Sequence, residues 1–273
     1  MKYNLHTHTT WCDGRDSPRA VAEAAVEKGF DILGFSSHAM LPGRYLEWAL
    51  TPEKAPRYAA EIRALAAEFA PKLKILCGVE ADWLAGEAEP SREAYSCISP
   101  DYIIGSVHFV RGAGGAIVCV DKSPQSMEDG IRDGFGGDVG KFVSAYFAAV
   151  RESLAFDFDI VGHPDLVRKF NAGGRYFDES ADWYVKELER TADAVAASGK
   201  LVEVNTGAIS RGWLDDAYPS PAFRAMLRER GVGFVLSADA HAADTIDCAF
   251  DRFGECEEFR VPGFVGRRSE FMV

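Results

Sequence analysis

Seven short runs of β-branched and aliphatic residues recur along the chain, at 2–5, 31–36, 73–79, 101–107, 158–161, 200–204 and 232–236, each bounded by turn or polar residues. Between them lie segments of helical period with conventional ends. Pro18 stands just inside the first of these, 19–28, and Gly29 just past it. A second opens at Thr51-Pro52-Glu53 and runs to Phe69, ahead of Pro71. A third covers 179–198, with Trp183, Val185, Leu188, Ala192 and Val195 on one side and Gly199 after it. Segments 140–155 and 221–230 complete the set. Strands that alternate with helices imply a parallel sheet, and seven or so such units in 273 residues fit a closed barrel better than two Rossmann halves. The expectation is an α/β chain folded as one TIM-like (β/α) barrel domain over 1–273, because no repeat, low-complexity tract or Pro/Ser-rich linker divides it. No G-x-G-x-x-G follows any of the runs. The glycine-rich Gly112-Ala113-Gly114-Gly115 and Gly134-Phe135-Gly136-Gly137 read as turns in a long insertion, about 111–138, that could move.

The formal net charge of -12, from 30 basic and 42 acidic side chains, argues against a nucleic-acid or anionic-membrane surface, which needs clustered Lys and Arg. No apolar run approaches the roughly 20 residues that span a bilayer. The first strand-like run begins at Lys2 without a charged-then-apolar leader, so a soluble cytoplasmic protein is expected. Six cysteines, Cys12, Cys77, Cys97, Cys119, Cys248 and Cys256, form no C-x-x-C pair and read as buried reduced thiols. Cys12 differs because it lies in the polar turn Trp11-Cys12-Asp13-Gly14, where it could be oxidised; no role follows for it.

Histidine placement carries the chemistry. His6 and His8 follow the first run, His38 the second, His108 the fourth, His163 the fifth and His241 the seventh; Glu80 ends the third, and Asp239 also follows the seventh. A parallel barrel gathers the C-terminal ends of its strands on one face, so these residues should converge. One histidine after an apolar run is ordinarily a hydrogen-bonded structural residue. All six at the same end of successive strands are not. Alternation along a strand sends positions i and i+2 to the same side, so His6-Thr7-His8 and Asp239-Ala240-His241 can each offer two ligands to one ion. Imidazole and carboxylate ligands without thiolate suit zinc, manganese or iron. Asp13, in the turn after His8, raises the set to six imidazoles and three carboxylates, enough for two or three ions.

Three divalent ions against Asp13, Glu80 and Asp239 would leave a local charge of about +3, which a phosphate monoester dianion and a hydroxide would balance. The acidic global charge therefore does not exclude a phosphate substrate. Arg168, shortly after His163, and Arg211, after the sixth run, lie in post-strand loops on the same face and could grip phosphate oxygens in the planar, bidentate manner of guanidinium. Lys169 reads as a solvated charge, and Arg44 is left open.

The motifs together resemble the polymerase and histidinol phosphatase (PHP) superfamily: His6-Thr7-His8 with Asp13, His38, Gly78-Val79-Glu80, Ser106-Val107-His108, Gly162-His163-Pro164-Asp165 and Ser237-Ala238-Asp239-Ala240-His241. The resemblance runs in order from 6 to 241. Segments 101–109 and 158–165, the total length and the long helical segment before Glu80 are similar to the histidinol-phosphate phosphatases of histidine biosynthesis. That resemblance implies a distorted seven-stranded (β/α) barrel with a trinuclear metal centre. His6, His8, Glu80 and Asp239 would hold one ion; Glu80 would bridge to a second held by His108 and His163; Asp13, His38 and His241 would hold the third. It also implies in-line attack on phosphorus by a metal-bridged hydroxide, with Arg168 and Arg211 neutralising oxygens. Asp13 and His241 are the candidate proton donors to the leaving group. Ser37 stands before His38 where many members carry Asp, which bears on how His38 is oriented.

Three other readings compete. A phosphoesterase for nucleotides or sugar phosphates would use the same scaffold. An amidohydrolase also opens with H-x-H after the first barrel strand, but Glu80 stands where its bridging lysine would be. A non-catalytic metal-binding or proofreading module would have no need of a full ligand set.

Overall fold

The computed structural model describes residues 1–41 and 48–253. Its elements in chain order are β1 (Tyr3–Asn4), α1 (Pro18–Glu27), β2 (Ile32–Phe35), α2 (Ala55–Phe69), β3 (Lys74–Asp82), β4 (Tyr102–Ser106), β5 (Phe109–Arg111), β6 (Ile117–Cys119), α3 (Pro124–Phe135), α4 (Val139–Ser153), β7 (Ile160–Val161), α5 (Asp182–Ser198), β8 (Leu201–Asn205), α6 (Gly207–Ser210), α7 (Pro221–Glu229) and β9 (Phe234–Ser237). Each of the seven apolar runs coincides with one strand of a single parallel sheet of order β1-β2-β3-β4-β7-β8-β9, although β3, β8 and β9 continue past the expected ends, β3 as far as Asp82. The first and last strands meet through a parallel bridge between Thr7 and Ala240, with His8 N donating to Ala240 O (2.8 Å) and Ala240 N to His6 O (3.1 Å). The expected α/β, seven-stranded TIM-like barrel is therefore the observed one.

The helices start where the chemistry of their first turns dictates. Ser17 caps α1 by accepting from Ala20 N with Pro18 next, and Gly29 takes the left-handed conformation that follows its end. Helix α2 begins at Ala55, later than expected, because Thr51 to Lys54 form a turn in which the Thr51 hydroxyl accepts from Lys54 N (3.3 Å). Helix α5 begins at Asp182, because Glu179 is spent on bonds to Arg168 and Asn171.

The insertion is more ordered than expected. It forms an antiparallel β5–β6 hairpin followed by α3, capped by Ser123 and closed by left-handed Gly136. Of the two glycine-rich segments, Ala113–Gly115 forms a single turn of 3-10 helix after β5, whereas Gly134 and Phe135 close α3 and only Gly136 and Gly137 turn; the segments pack on each other, since a Cβ on Gly112 would come within 2.6 Å of Gly134 O. The Ser123-Pro124 start signal was present in the sequence and identical in kind to Ser17-Pro18.

The main core lies between sheet and helices, with Tyr58, Tyr146, Phe147, Leu188 and Phe223 among its fully buried members. A second apolar cluster joins Tyr3, Leu5, Ile32, Tyr102, Ile104, Ile160 and Val235. Tyr102 is the largest plug there. Its ring lies so close to β2 and β3 that a Cβ on Gly34 or Gly78 would overlap it, at 2.2 and 2.4 Å. Its hydroxyl donates to Leu5 O (2.5 Å) and also lies 3.2 Å from Phe35 O. Further along the same strands the side chains become polar or ionisable: Glu80 and Asp82 follow Gly78 on β3, Ser106 follows Ile104 on β4, and Asp239 follows Val235 beyond β9. Among the cysteines, Cys77 is buried, Cys12, Cys119 and Cys248 are half-buried, and Cys97 is exposed. Only Cys77 thus matches the expected burial; all five are free thiols, and Cys256 lies outside the described residues.

Candidate metal centre

The barrel mouth brings all nine expected ligand residues together. Their donor atoms form overlapping groups within 4.8 Å: His6, His8 and Glu80; Glu80, His108 and His163; His8, Asp13, His38 and His241; and His38, Asp82 and His108. Glu80 is the hub. Its Oε2 lies 3.2 Å from His6 Nε2, 3.0 Å from His38 Nδ1 and 3.5 Å from His8 Nε2; its Oε1 lies 2.9 Å from His163 Nε2 and 3.5 Å from His108 Nε2. Asp239 Oδ1 lies 3.3 Å from His8 Nε2 and 3.7 Å from His6 Nε2. At the open edge, Asp13 Oδ2 faces His241 Nε2 at 3.2 Å and His38 Nε2 at 3.6 Å. Asp239 takes φ +49° and His163 φ +20°, left-handed backbone that turns each side chain into the mouth.

Two carboxylates that sequence reading missed set the ring orientations. Glu203 on β8, fully buried, accepts from His6 Nδ1 (2.8 Å) and from His163 N (2.8 Å). Asp82 on β3 accepts from His108 Nδ1 (2.9 Å) and His108 N (3.0 Å). A proton fixed on Nδ1 leaves the Nε2 lone pair of each ring facing Glu80. The signal for Asp82 was its place two residues after Glu80, on the same side of the strand. For Glu203 it was a lone carboxylate inside an apolar run.

The donor set fits a cation. His6 Nε2, His8 Nε2, His38 Nδ1 and Glu80 Oε2 are buried and have no hydrogen-bond partner, an arrangement of facing lone pairs that only protons or metal ions can relieve. Electrostatics agrees. Burial opposes charge on His6 and His38, but Glu203, Glu80 and Asp239 outweigh it at His6, and Glu80 and Asp13 at His38, so both are raised well above the usual imidazole range. At His108, burial is outweighed by Asp82 and Glu80, raising it to about 9. Burial together with His241 and His38 pushes His8 down to about 3. Glu80 is held well below the carboxylate range because His6, His38 and His108 overcome its burial; at Asp239, Arg211 and His6 do the same.

Arg211 Nη2 donates to Asp239 Oδ2 (2.7 Å) and Nη1 to Asp239 O (3.1 Å), 3.1 Å from His241 Nδ1, so it stands against the ligand cluster. Arg168 is buried and donates from Nε to Glu179 (3.1 Å), with Asp165 at 3.9 Å and Nη1 unpartnered; it lines a cleft of about 920 Å³ with Asn171, Trp213 and Asp216. Lys169 is not solvated as expected. Its side chain is 11 % exposed and its ammonium donates to Asp121 O (2.9 Å) and Oδ2 (3.1 Å). Cys12 Sγ lies 3.5 Å from His8 Nδ1. Trp48 stands edge-on to His38, ring centres 4.7 Å apart. Arg44 lies outside the described residues.

A closed parallel barrel with a mouth built of imidazoles and carboxylates is the PHP arrangement, and the PHP domain family model matches residues 4–207. The chain belongs to that family. A Deinococcus radiodurans protein named "Probable histidinol-phosphatase" is 32 % identical over 250 residues, covering 90 % of this chain and 88 % of its own. The histidinol-phosphatase of Bacillus subtilis is 26 % identical over 272 residues, covering 93 % and 99 %. In fold, a candidate histidinol phosphatase from Listeria monocytogenes matches with a TM-score of 0.82 at 22 % identity, over 92 % of this chain and all of that one (100 %). A histidinol phosphate phosphatase from Lactococcus lactis, solved with zinc, L-histidinol and phosphate, matches with a TM-score of 0.64 at 23 % identity, over 89 % and 87 %.

Proposed function

We propose that this chain is a phosphoric monoester hydrolase that cleaves L-histidinol phosphate to L-histidinol and phosphate in the cytoplasm, in histidine biosynthesis. The observation that carries the reading is the shared ligand cluster around Glu80, in a chain that aligns nearly end to end with histidinol-phosphatases. No helix among the described residues is long and apolar enough to cross a membrane. The whole chain serves as one catalytic unit, with a small phosphate ester rather than a nucleic acid as its partner.

The cluster is suited to three divalent ions, zinc, manganese or iron: one at His6, His8, Glu80 and Asp239, one at Glu80, His108 and His163, and one at Asp13, His38 and His241. Such ions supply Lewis-acid polarisation of phosphoryl oxygens and acidify water at neutral pH. The protein's own contribution is to hold the geometry. Glu203 and Asp82 lock the His6 and His108 rings, so no reorganisation is needed when charge develops. Arg211, pinned by Asp239, offers its guanidinium edge to equatorial phosphate oxygens; Arg168 supplies a second positive charge from the adjoining loop. Asp13 and His241 lie at the open edge, 33 % and 30 % exposed; the atoms with which they would hold the third ion carry no proton, so the departing alkoxide takes its proton from solvent that reaches this edge.

The test is phosphate release from histidinol phosphate against a panel of nucleotides and sugar phosphates, with protein whose metals have been counted by elemental analysis. A strong preference for histidinol phosphate with close to three metals per chain supports the reading. Equal or better turnover of the other esters keeps a metal-dependent phosphoesterase and removes the histidine-biosynthesis assignment.

A further inference from the structure

The hairpin of the 111–138 insertion delivers one carboxylate to the barrel mouth. Phe109 pairs with Cys119 across β5 and β6, and Val120 N donates to His108 O at 2.9 Å, so Asp121 emerges directly beside the strand end that carries His108. From the opposite side, the loop after β7, which carries His163, supplies Lys169, and its ammonium holds Asp121 Oδ2 at 3.1 Å. The His108 and His163 ring centres are 5.0 Å apart. Asp121 thus ties together the two post-strand loops whose histidines flank Glu80. Its side chain is 24 % exposed.

The two carboxylate oxygens are unequally served. Oδ2 receives the Lys169 ammonium, whereas Oδ1 receives, among the described residues, only the thiol of Cys119 at 3.4 Å, a weak donor. A carboxylate in a partly enclosed site gains most from a charged donor, so Oδ1 retains capacity for one. Burial disfavours the charge, but Lys169 and His108 outweigh it and hold Asp121 well below the usual carboxylate range, ionised at every pH at which the enzyme would work. The remainder of the mouth is arranged for anions: the imidazole cluster, Arg211 and Lys169. Of the carboxylates there that no expected metal set uses, Asp82 and Glu203 are taken up by His108, His6 and His163, whereas Asp121 bonds no imidazole among the described residues.

We propose that Asp121 Oδ1 is the specificity determinant for a primary ammonium on the organic half of the substrate, with Lys169 as the positioning residue that fixes the carboxylate. This rests on the histidinol phosphate reading, in which the ammonium sits one carbon from the ester-bearing carbon. The substrate class becomes phosphate esters of vicinal amino alcohols, and the insertion becomes the element that selects them.

The experiment compares metal-loaded wild type and Asp121→Asn on histidinol phosphate and on the same ester lacking the amine, and measures binding of L-histidinol and of inorganic phosphate by calorimetry. Wild type should prefer the amine-bearing ester, and Asp121→Asn should lose about 10- to 100-fold of that preference, the range expected for a hydrogen bond between charged groups. L-Histidinol binding should weaken by a similar factor, and phosphate binding far less. Asp121→Glu, which keeps the charge but moves it by one methylene, should retain part of the preference and stands in if the Asn variant fails to fold. An undiminished preference in both variants overturns the proposal, as does equal weakening of phosphate and L-histidinol, which would make Asp121 a general support of the site. If wild type does not hydrolyse histidinol phosphate, the functional reading fails and takes this inference with it. If wild type does, and only the variants disagree, the inference alone fails.

Discussion

The interior of the barrel is two chemistries stacked on the same strands. Below, Tyr102, Ile104, Ile160 and Val235 fill the lumen, with Gly34 and Gly78 leaving room for the tyrosine ring. Above, two to four residues beyond Gly78, Ile104 and Val235, the positions hold Glu80, His108 and Asp239. The lower layer is satisfied by contact and requires exact volume. The upper layer is satisfied only by partners of opposite charge, and several of its donor atoms have none within the protein. The close-packed lower layer gives the upper one a fixed floor, on which the crowded carboxylates and imidazoles keep their mutual geometry.

The comparison breaks most sharply at His8, which belongs to two of the ligand groups. His8→Ala should reduce phosphate release by about 10³-fold or more, the scale at which removing a central catalytic element acts, and lower metal content, while circular dichroism stays unchanged. Full activity with normal metal content would remove the upper layer from the chemistry.

In the lower layer Gly34→Val should do the reverse. Overpacking against Tyr102 should cost about 1–3 kcal/mol in denaturant unfolding, while zinc still binds the folded fraction. A variant as stable as wild type would show that the plug is looser than its contacts with Gly34 and Gly78 imply.

The smallest effect is a proton count. His6 and His38 are raised, and His108 lies at about 9, so in the metal-free protein these rings carry protons at neutral pH that an incoming ion must displace. His8, at about 3, has none to lose. Zinc titrated into stripped protein at pH 7 should therefore release protons, seen as a calorimetric heat that depends on the buffer. Apparent affinity should rise with pH through the titration of His108 near 9. A heat independent of buffer would mean that the imidazoles are already neutral.

The strands and the barrel were legible because apolar runs and their bounding turns are local signals, and each of the seven runs coincides with a barrel strand. The histidines were legible because a barrel converts position in sequence into position on one face. Asp82 and Glu203 were not read, because each sits inside a strand otherwise written in apolar residues, and what makes it useful is a histidine on another strand. Lys169 was misread for the same reason: its partner, Asp121, is 48 residues away in an insertion whose hairpin depends on the pairing of β5 with β6. Alternation had already been applied to His6-Thr7-His8 and Asp239-Ala240-His241; applied to Glu80-Ala81-Asp82 it would have found one of the three.

The bridge between Thr7 and Ala240 also sets an order of events during synthesis. His6 and His8 leave the ribosome early and wait, because the strand that brings Asp239 and His241 beside them is made last, and loop closure across such a separation is slow. Until that strand docks, the nascent chain can gather Glu80, His108 and His163 but not the groups that need Asp239 or His241. Completion of the nine-residue cluster is therefore coupled to closure of the ring by β9, the last strand among the described residues.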